Sequence, residues 1–380
     1  MDFLFIVGIA QAFFFALLLG KKKDKSVADK ILLVWLIFIG LHLLGFYWDY
    51  SGFSSQHPHL LGFSWFMPIA EGPFLWIYAA ALLSGAKRFN PWWLIHFVPF
   101  VLLNVSIYDF YLSLPEQKAQ FAATLWENPP WQAVLGNFLT LYSGPVYVLF
   151  LLVRLKRFRS GLRDFFSSTE RINLQWLQRL TWGLGGIWAV VLGTYAYCRI
   201  ADTRLPDNNN YYIFIAVSLF VLFLGYHGLK YENILVKYAS PDVASDEAAT
   251  VERYKKSGLK PTDEKALLNQ IKSLLVEQEL YLEQNLTLDD LAKKLDKPRH
   301  YISQAIGSEE GLTFYSLVNQ LRVEAAKEKL VSDEFAHFSL LGIGLDSGFN
   351  SKASFNRVFK EYAGISPSEH RERHQKIHQQ

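Results

Sequence analysis

The chain reads as all-α: a seven-helix transmembrane bundle followed by a soluble all-α domain in which two helix-turn-helix units are joined by a connecting helix. Three observations predict this. Hydrophobic residues make up 51% of the 380, and charge is segregated: residues 1–230 carry 30 charged side chains and residues 231–380 carry 43. Seven stretches of the first part are apolar over roughly the 20 residues that a helix needs to cross a bilayer. The second part places a short helix, a turn and another short helix on either side of one longer amphipathic helix.

So apolar a composition excludes a disordered chain. The net charge of +3 is too small to argue for a partner. The single cysteine, Cys198, excludes an internal disulfide and any zinc site needing two thiolates. It reads as a small apolar residue of a membrane helix. The first apolar run begins without a basic segment before it, so no cleavable secretion signal is expected.

The apolar stretches cover about 2–20, 29–48, 63–84, 92–113, 132–153, 175–198 and 211–230. Alternate connections differ in Lys and Arg. Segments 21–30, 85–91 and 154–173 carry 13, whereas 49–62, 114–131 and 199–210 carry 3. The positive-inside rule puts the first set in the cytoplasm. The expected location is therefore the inner (cytoplasmic) membrane, multi-pass, with the amino terminus outside and everything after Lys230 inside. Trp48, Trp92, Trp93, Trp131, Tyr211 and Tyr212 sit where span ends meet headgroups.

Polar groups within a span are expensive and draw attention to themselves. Glu71, His42, His96 and Asp109 are the candidates for a signal site in the membrane, with Asn104 and His227 also inside spans. A hydrogen-bonded cluster that fixes helix packing is the competing reading. Glu71-Gly72-Pro73 is expected to break its helix locally. The last stretch has no lysine between 211 and 229, which argues against a retinal Schiff base. His57-Pro58-His59 reads as a solvated turn. No His-Glu-x-x-His pair, nucleophile elbow or Gly-rich phosphate loop is visible, so neither catalysis nor a metal nor a cofactor is expected.

Beyond the bundle (1–230), residues 231–262 read as a cytoplasmic linker, with breakers at Ser240-Pro241 and Gly258 to Pro261. Residues 263–380 form the second domain. Leu267, Leu268, Ile271, Leu274 and Leu275 line one helix face. Thr287 and Asp290 have capping-box spacing before the stripe Leu288, Leu291, Ala292, Leu295. A break at Asp296-Lys297-Pro298 starts a helix to Ile306, and a longer helix spans Thr313 to Val331. Leu340 to Leu345, a turn at Asp346 to Asn350 and a helix from Ser351 to Tyr362 complete the repeat. Gly348 suits a positive φ, and Phe349 is expected to plug the core.

The stretch Ile343 to Arg371, IGLDSGFNSKASFNRVFKEYAGISPSEHR, resembles the signature of AraC-type transcription regulators. LTLDDLAKKL, HYISQAI, FYSLVNQLRVEAAKEKL and YKKSGL extend the resemblance over about 120 residues. GPFLWIYAAAL (Gly72–Leu82) and LIHFVPF (Leu94–Phe100) resemble the membrane part of such regulators carried on a multi-span bundle. Gly344 stands where the family usually has Ala, and Gly307 where relatives tend to have a polar residue.

The resemblance implies two recognition helices in successive major grooves on one face of double-stranded DNA. The first would present Arg299, His300, Ser303 and Gln304. The second would present Ser351, Lys352, Ser354, Asn356 and Arg357. Lys297, Lys360, Arg371 and Arg373 suit phosphates, which position without specifying. Residues 287–380 hold 13 basic and 13 acidic side chains, so affinity is expected to be modest and salt-sensitive, with a homodimer as one remedy. A signal ligand or membrane partner would act on the bundle, itself held in the lipid bilayer. The alternatives are a membrane transporter, or a scaffold, with a helical cytoplasmic tail.

Overall fold

The computed structural model describes residues 2–124, 129–168, 174–200, 211–230 and 261–377, and among them every regular element is helical. The described residues of Met1–Leu155 and Leu174–Ser240 form one compact unit, those of Lys156–Asn173 and Pro241–Gln380 a second. The expected linker 231–262 and the YKKSGL segment lie almost wholly outside the described residues.

The first unit contains α1 (Asp2–Lys21), α2 (Val27–Tyr50), α3 (Met67–Ser84), α4 (Val98–Ser106), the apolar start of α5 (Trp131–Phe165), α6 (Gln175–Ile200) and α7 (Tyr211–Lys230). Helix α2 starts at a capping box in which Ser26 and Asp29 exchange hydrogen bonds. The buried Asp29 carboxylate also receives Lys22 Nζ at 2.6 Å, so one side chain closes both the cap and the α1–α2 turn. Helix α2 packs on α1 and α3, and α7 on α1 and α6.

Two expectations are corrected here, a single helix over 92–113 and a break at Glu71-Gly72-Pro73. Among the described residues, three helices are long and apolar enough to cross a membrane, Val27–Tyr50, Met67–Ser84 and Trp131–Phe165, with shorter apolar helices at Phe5–Lys21, Pro91–Ser106 and Ile215–Leu229. The stretch 92–113 is not one helix: a 3-10 segment Pro91–Phe97, then α4, then a short helix Tyr108–Leu112. Pro91 and Pro99 each begin a new piece because proline supplies no N–H to the preceding turn. Glu71-Gly72-Pro73 does not break α3, which runs unbroken through Pro73. Gly72 and Pro73 are both buried, and Gly72 admits the Tyr147 ring, which would stand 2.5 Å from a Cβ there. Close packing on this side carries the one missing helix bond.

Helix α5 also continues about 12 residues past its apolar stretch, where a connection had been expected. Arg, Lys and Leu are good helix formers, so Arg154 to Phe165 stays helical although polar.

The second unit carries α8 (Pro261–Glu277), α9 (Leu288–Leu295), α10 (Arg299–Glu310), α11 (Phe314–Val331), α12 (Leu340–Asp346), α13 (Lys352–Ala363) and α14 (Pro367–Ile377). Thr287 and Asp290 form the expected capping box. Ser339 and Ser351 cap α12 and α13 through their hydroxyls. Two apolar cores result. One gathers Leu267, Ile271 and Leu275 of α8 with Leu288, Leu291, Ile302 and Ile306. The other gathers Ile343, Phe349, Phe355, Val358 and Phe359. Helix α11 enters both, with Phe314, Leu317 and Val318 in the first and Tyr315, Val323, Ala326 and Leu330 in the second.

The two unusual glycines separate cleanly. A Cβ on Gly344 would stand 2.8 Å from Phe355 Cδ1, whereas nothing lies within 4 Å of one on Gly307. Glycine at 344 lets α12 and α13 touch; at 307 it only loosens a helix. Gly307→Ala is expected to stabilise the domain by about 0.5–1 kcal/mol. Gly344→Ala should destabilise it by about 1–3 kcal/mol through overpacking. Denaturant melts of the two variants of the full chain check the opposite signs.

Candidate nucleic-acid interface

Each helix-turn-helix unit is built around a turn whose backbone needs are met by particular residues. In the first, Asp296 takes the left-handed conformation, φ 50°, to end α9. Short polar side chains visit that region more readily than most. In the second, Gly348 has φ 85°, and Phe349 behind it is 1% exposed in the core. Helices α10 and α13 therefore follow their turns as the second helix of each pair, the recognition position of such a motif.

On α10, His300 is exposed, and Arg299 and Ser303 are half-buried. Arg299 Nη1 lies 3.5 Å from Asp289 Oδ1, and its guanidinium stands 5.7 Å from the Phe165 ring centre. Gln304 is a correction. It was expected to face outward but is 8% exposed, with Nε2 donating to Glu264 Oε1 at 2.7 Å. Glu264 also accepts from the Ser308 hydroxyl, so this carboxylate knits α8 to α10 from within.

On α13, Lys352, Asn356, Arg357 and Lys360 are exposed. Arg357 Nη2 donates to Tyr315 Oη at 3.0 Å, and Nη1 lies 3.5 Å from Glu361 Oε2. Ser351 is half-buried and caps the helix. Ser354 is the second correction: at 6% exposure it is in the third position after the cap, where its N–H is held by the Ser351 hydroxyl at 3.1 Å. Arg371 and Arg373 were expected at phosphates. Arg371 donates from Nη1 to Phe338 O at 3.0 Å, tying α14 to the loop before α12. Arg373 Nη2 pairs with Glu369 at 2.6 Å across one helical turn. Lys297 is exposed in the first turn.

Two features that sequence reasoning missed lie between the two readers. Arg322, on α11, is 1% exposed and spends its guanidinium on four acceptors: Nε on Tyr281 O at 2.7 Å, Nη2 on Glu283 O at 2.8 Å and on Ser167 Oγ at 3.1 Å, and Nη1 on Ser167 O at 3.2 Å. Burial pushes this guanidinium down to about 10, which still leaves it charged at neutral pH. The second feature is Ser167 itself, 119 to 155 residues from its partners along the chain.

Of the four membrane candidates, the structure brings two together. Glu71 accepts from Trp35 Nε1 at 2.7 Å and stands 3.1 Å from His42 Nδ1. These two side chains share the wall of a cavity of about 250 Å³ lined by Thr140 and otherwise by apolar groups such as Leu43, Trp188 and Phe220. His96 does not join them; its Nδ1 faces Tyr147 Oη at 2.9 Å. Asp109 is exposed in the short helix Tyr108–Leu112, because the break in 92–113 carries it away. No group of three or more His, Cys, Asp or Glu suited to a metal occurs among the described residues.

Residues 291–373 match the family described as "Helix-turn-helix domain". The chain is 29% identical over 126 residues to the Msm operon regulatory protein of Streptococcus mutans, covering 33% of this chain and 43% of that one. It is 31% identical over 94 residues to an uncharacterized HTH-type transcriptional regulator of Staphylococcus aureus, covering 24% of this chain and 12% of the relative. The chain thus spans less than half the length of the curated relatives it matches. No solved structure matches it.

Proposed function

We propose that this chain is a membrane-embedded one-component transcription regulator of the AraC type, which binds double-stranded DNA through two helix-turn-helix units under the control of a signal sensed by its amino-terminal bundle. One observation carries the reading: two such units share α11, and each presents basic or amide side chains on its second helix. Arg299, His300 and Ser303 serve the first groove; Ser351, Lys352, Asn356 and Arg357 the second, with Lys297 and Lys360 on phosphates. The family match over residues 291–373 supports this, as do relatives named as regulators. The chain acts without a cofactor and not as an enzyme.

The bundle crosses the inner membrane seven times with the amino terminus outside. Support comes from three helices of spanning length and from large apolar side chains that face outward, including Phe3 at 75% and Leu149 at 62% exposure. Such surface is costly in water and suited to lipid. The signal ligand occupies the cavity beside Glu71 and His42, where one hydrogen-bonding corner in an apolar shell orients a small molecule. It shifts the DNA-binding unit by favouring one of two bundle states. A homodimer supplies the affinity that a neutral reader lacks.

The test is crosslinked footprinting of the chromosome with full-length protein against Arg357→Ala. Loss of one bidentate base contact is worth about 1–3 kcal/mol, so occupancy should fall by about 10- to 100-fold while membrane insertion persists. Unchanged occupancy would sink the assignment of Arg357; absence of any enriched site for the parent chain would sink the function.

A further inference from the structure

The polar end of α5 does not leave the molecule as a free connection. Residues Arg163–Ser168 form a strap seated in the second unit, against the junction of its two helix-turn-helix halves. Ser167 N and Oγ both donate to Leu286 O, at 3.2 and 2.7 Å. Phe166 and Thr287 make an isolated antiparallel bridge. The Ser167 carbonyl accepts from Asn319 Nδ2 at 3.1 Å and from Arg322 Nη1 at 3.2 Å. Ser167 is 1% exposed and Asn319 and Arg322 equally so, which makes this a built receptor for an extended Phe-Ser segment. It combines backbone pairing on one side with a buried guanidinium on the other.

The strap also reaches residues of both readers. The Arg299 guanidinium stands 5.7 Å from the Phe165 ring centre. Arg163 stands over the Tyr315 ring at 5.6 Å, and the hydroxyl of that same ring receives Arg357. Asn350, in the turn before α13, donates from Nδ2 to Ser168 Oγ at 2.8 Å. A side chain bound to a neighbour in this way is unavailable for a base edge until that bond is exchanged. The strap is continuous with α5, one of the helices long and apolar enough to span a membrane.

We infer that the strap Arg163–Ser168 is an intramolecular ligand of the DNA-binding unit: seated, it holds Arg299 and Asn350 in protein contacts, and its withdrawal releases them to DNA. This rests on the DNA-binding reading above and adds a route for control separate from the 231–262 linker. The bistable element is the strap, and both α5 and DNA bias it, in opposite directions.

A reversible lock tests it. In a Cys198→Ala background, Ser168→Cys and Asn350→Cys replace two side chains already in contact, and the full chain is placed in nanodiscs. It is oxidised, incubated with sheared chromosomal DNA of the host, and the retained fragments are sequenced; the same sample is then reduced and assayed again. The expected result is a disulfide, a loss of retained sites by about 5- to 150-fold, and recovery on reduction. Phe165→Ala with Ser167→Ala, unlocked, should retain more DNA than the parent. Failure of the disulfide to form overturns the docking. A disulfide with retention unchanged or increased overturns the gating. If neither the reduced chain nor the unlocked variant retains specific fragments, the DNA-binding reading fails and the gating with it, whereas a disulfide formed in that case leaves the docking itself standing.

Discussion

Arg322→Met in the full chain is expected to destabilise the carboxy-terminal unit by about 3–5 kcal/mol, because a buried guanidinium with four acceptors leaves all four behind when it goes. Tyr281 O and Glu283 O belong to the segment between α8 and α9, whereas Ser167 O and Oγ belong to the strap. Methionine fills much of the volume and donates nothing. Hydrogen exchange of the α11 amides should show the loss directly. Arg322→Lys should recover little, since a single ammonium cannot reach a planar set of acceptors from one position. A loss under about 1 kcal/mol would mean that water reaches these carbonyls and that the junction is not buried as described.

Gly348→Ala is the second large effect, about 2–4 kcal/mol of destabilisation. The residue has φ 85°, and a Cβ there would stand 2.6 Å from Tyr281 O and 2.9 Å from Leu282 Cα. Both are backbone atoms, so no side chain can swing aside to make room. Gly348→Ala should therefore cost far more than an alanine at an open glycine such as 307, and a denaturant midpoint for each variant decides it. Equal midpoints would show that the turn after α12 is not wedged against the Tyr281 segment.

Local signals carried the second unit a long way. Thr287 with Asp290, the Gly348 turn and the Leu288 stripe each depend on neighbours within a few residues, and each is where the spacing puts it. The burial of Gln304 was not legible, because its partner Glu264 lies 40 residues away on another helix. The strap was harder still: polar residues after an apolar run read as a connection, and nothing near Ser167 announces acceptors for Arg322. In the first unit, apolar content located the helices but not their ends. Pro91 and Pro99 were in view and mark the pieces of 92–113; Glu71 and His42 were named, but their pairing depends on how α2 lies on α3.

A common helix feeding both cores, with the Gly348 turn wedged against the Tyr281 backbone, leaves the two halves little freedom to swivel. On the proposed DNA-binding reading, such a reader has a fixed stride. One base pair inserted between its two boxes turns the second by about a tenth of a helical revolution and moves it by about 3.4 Å, and the misfit falls on the double helix as twist rather than on the protein.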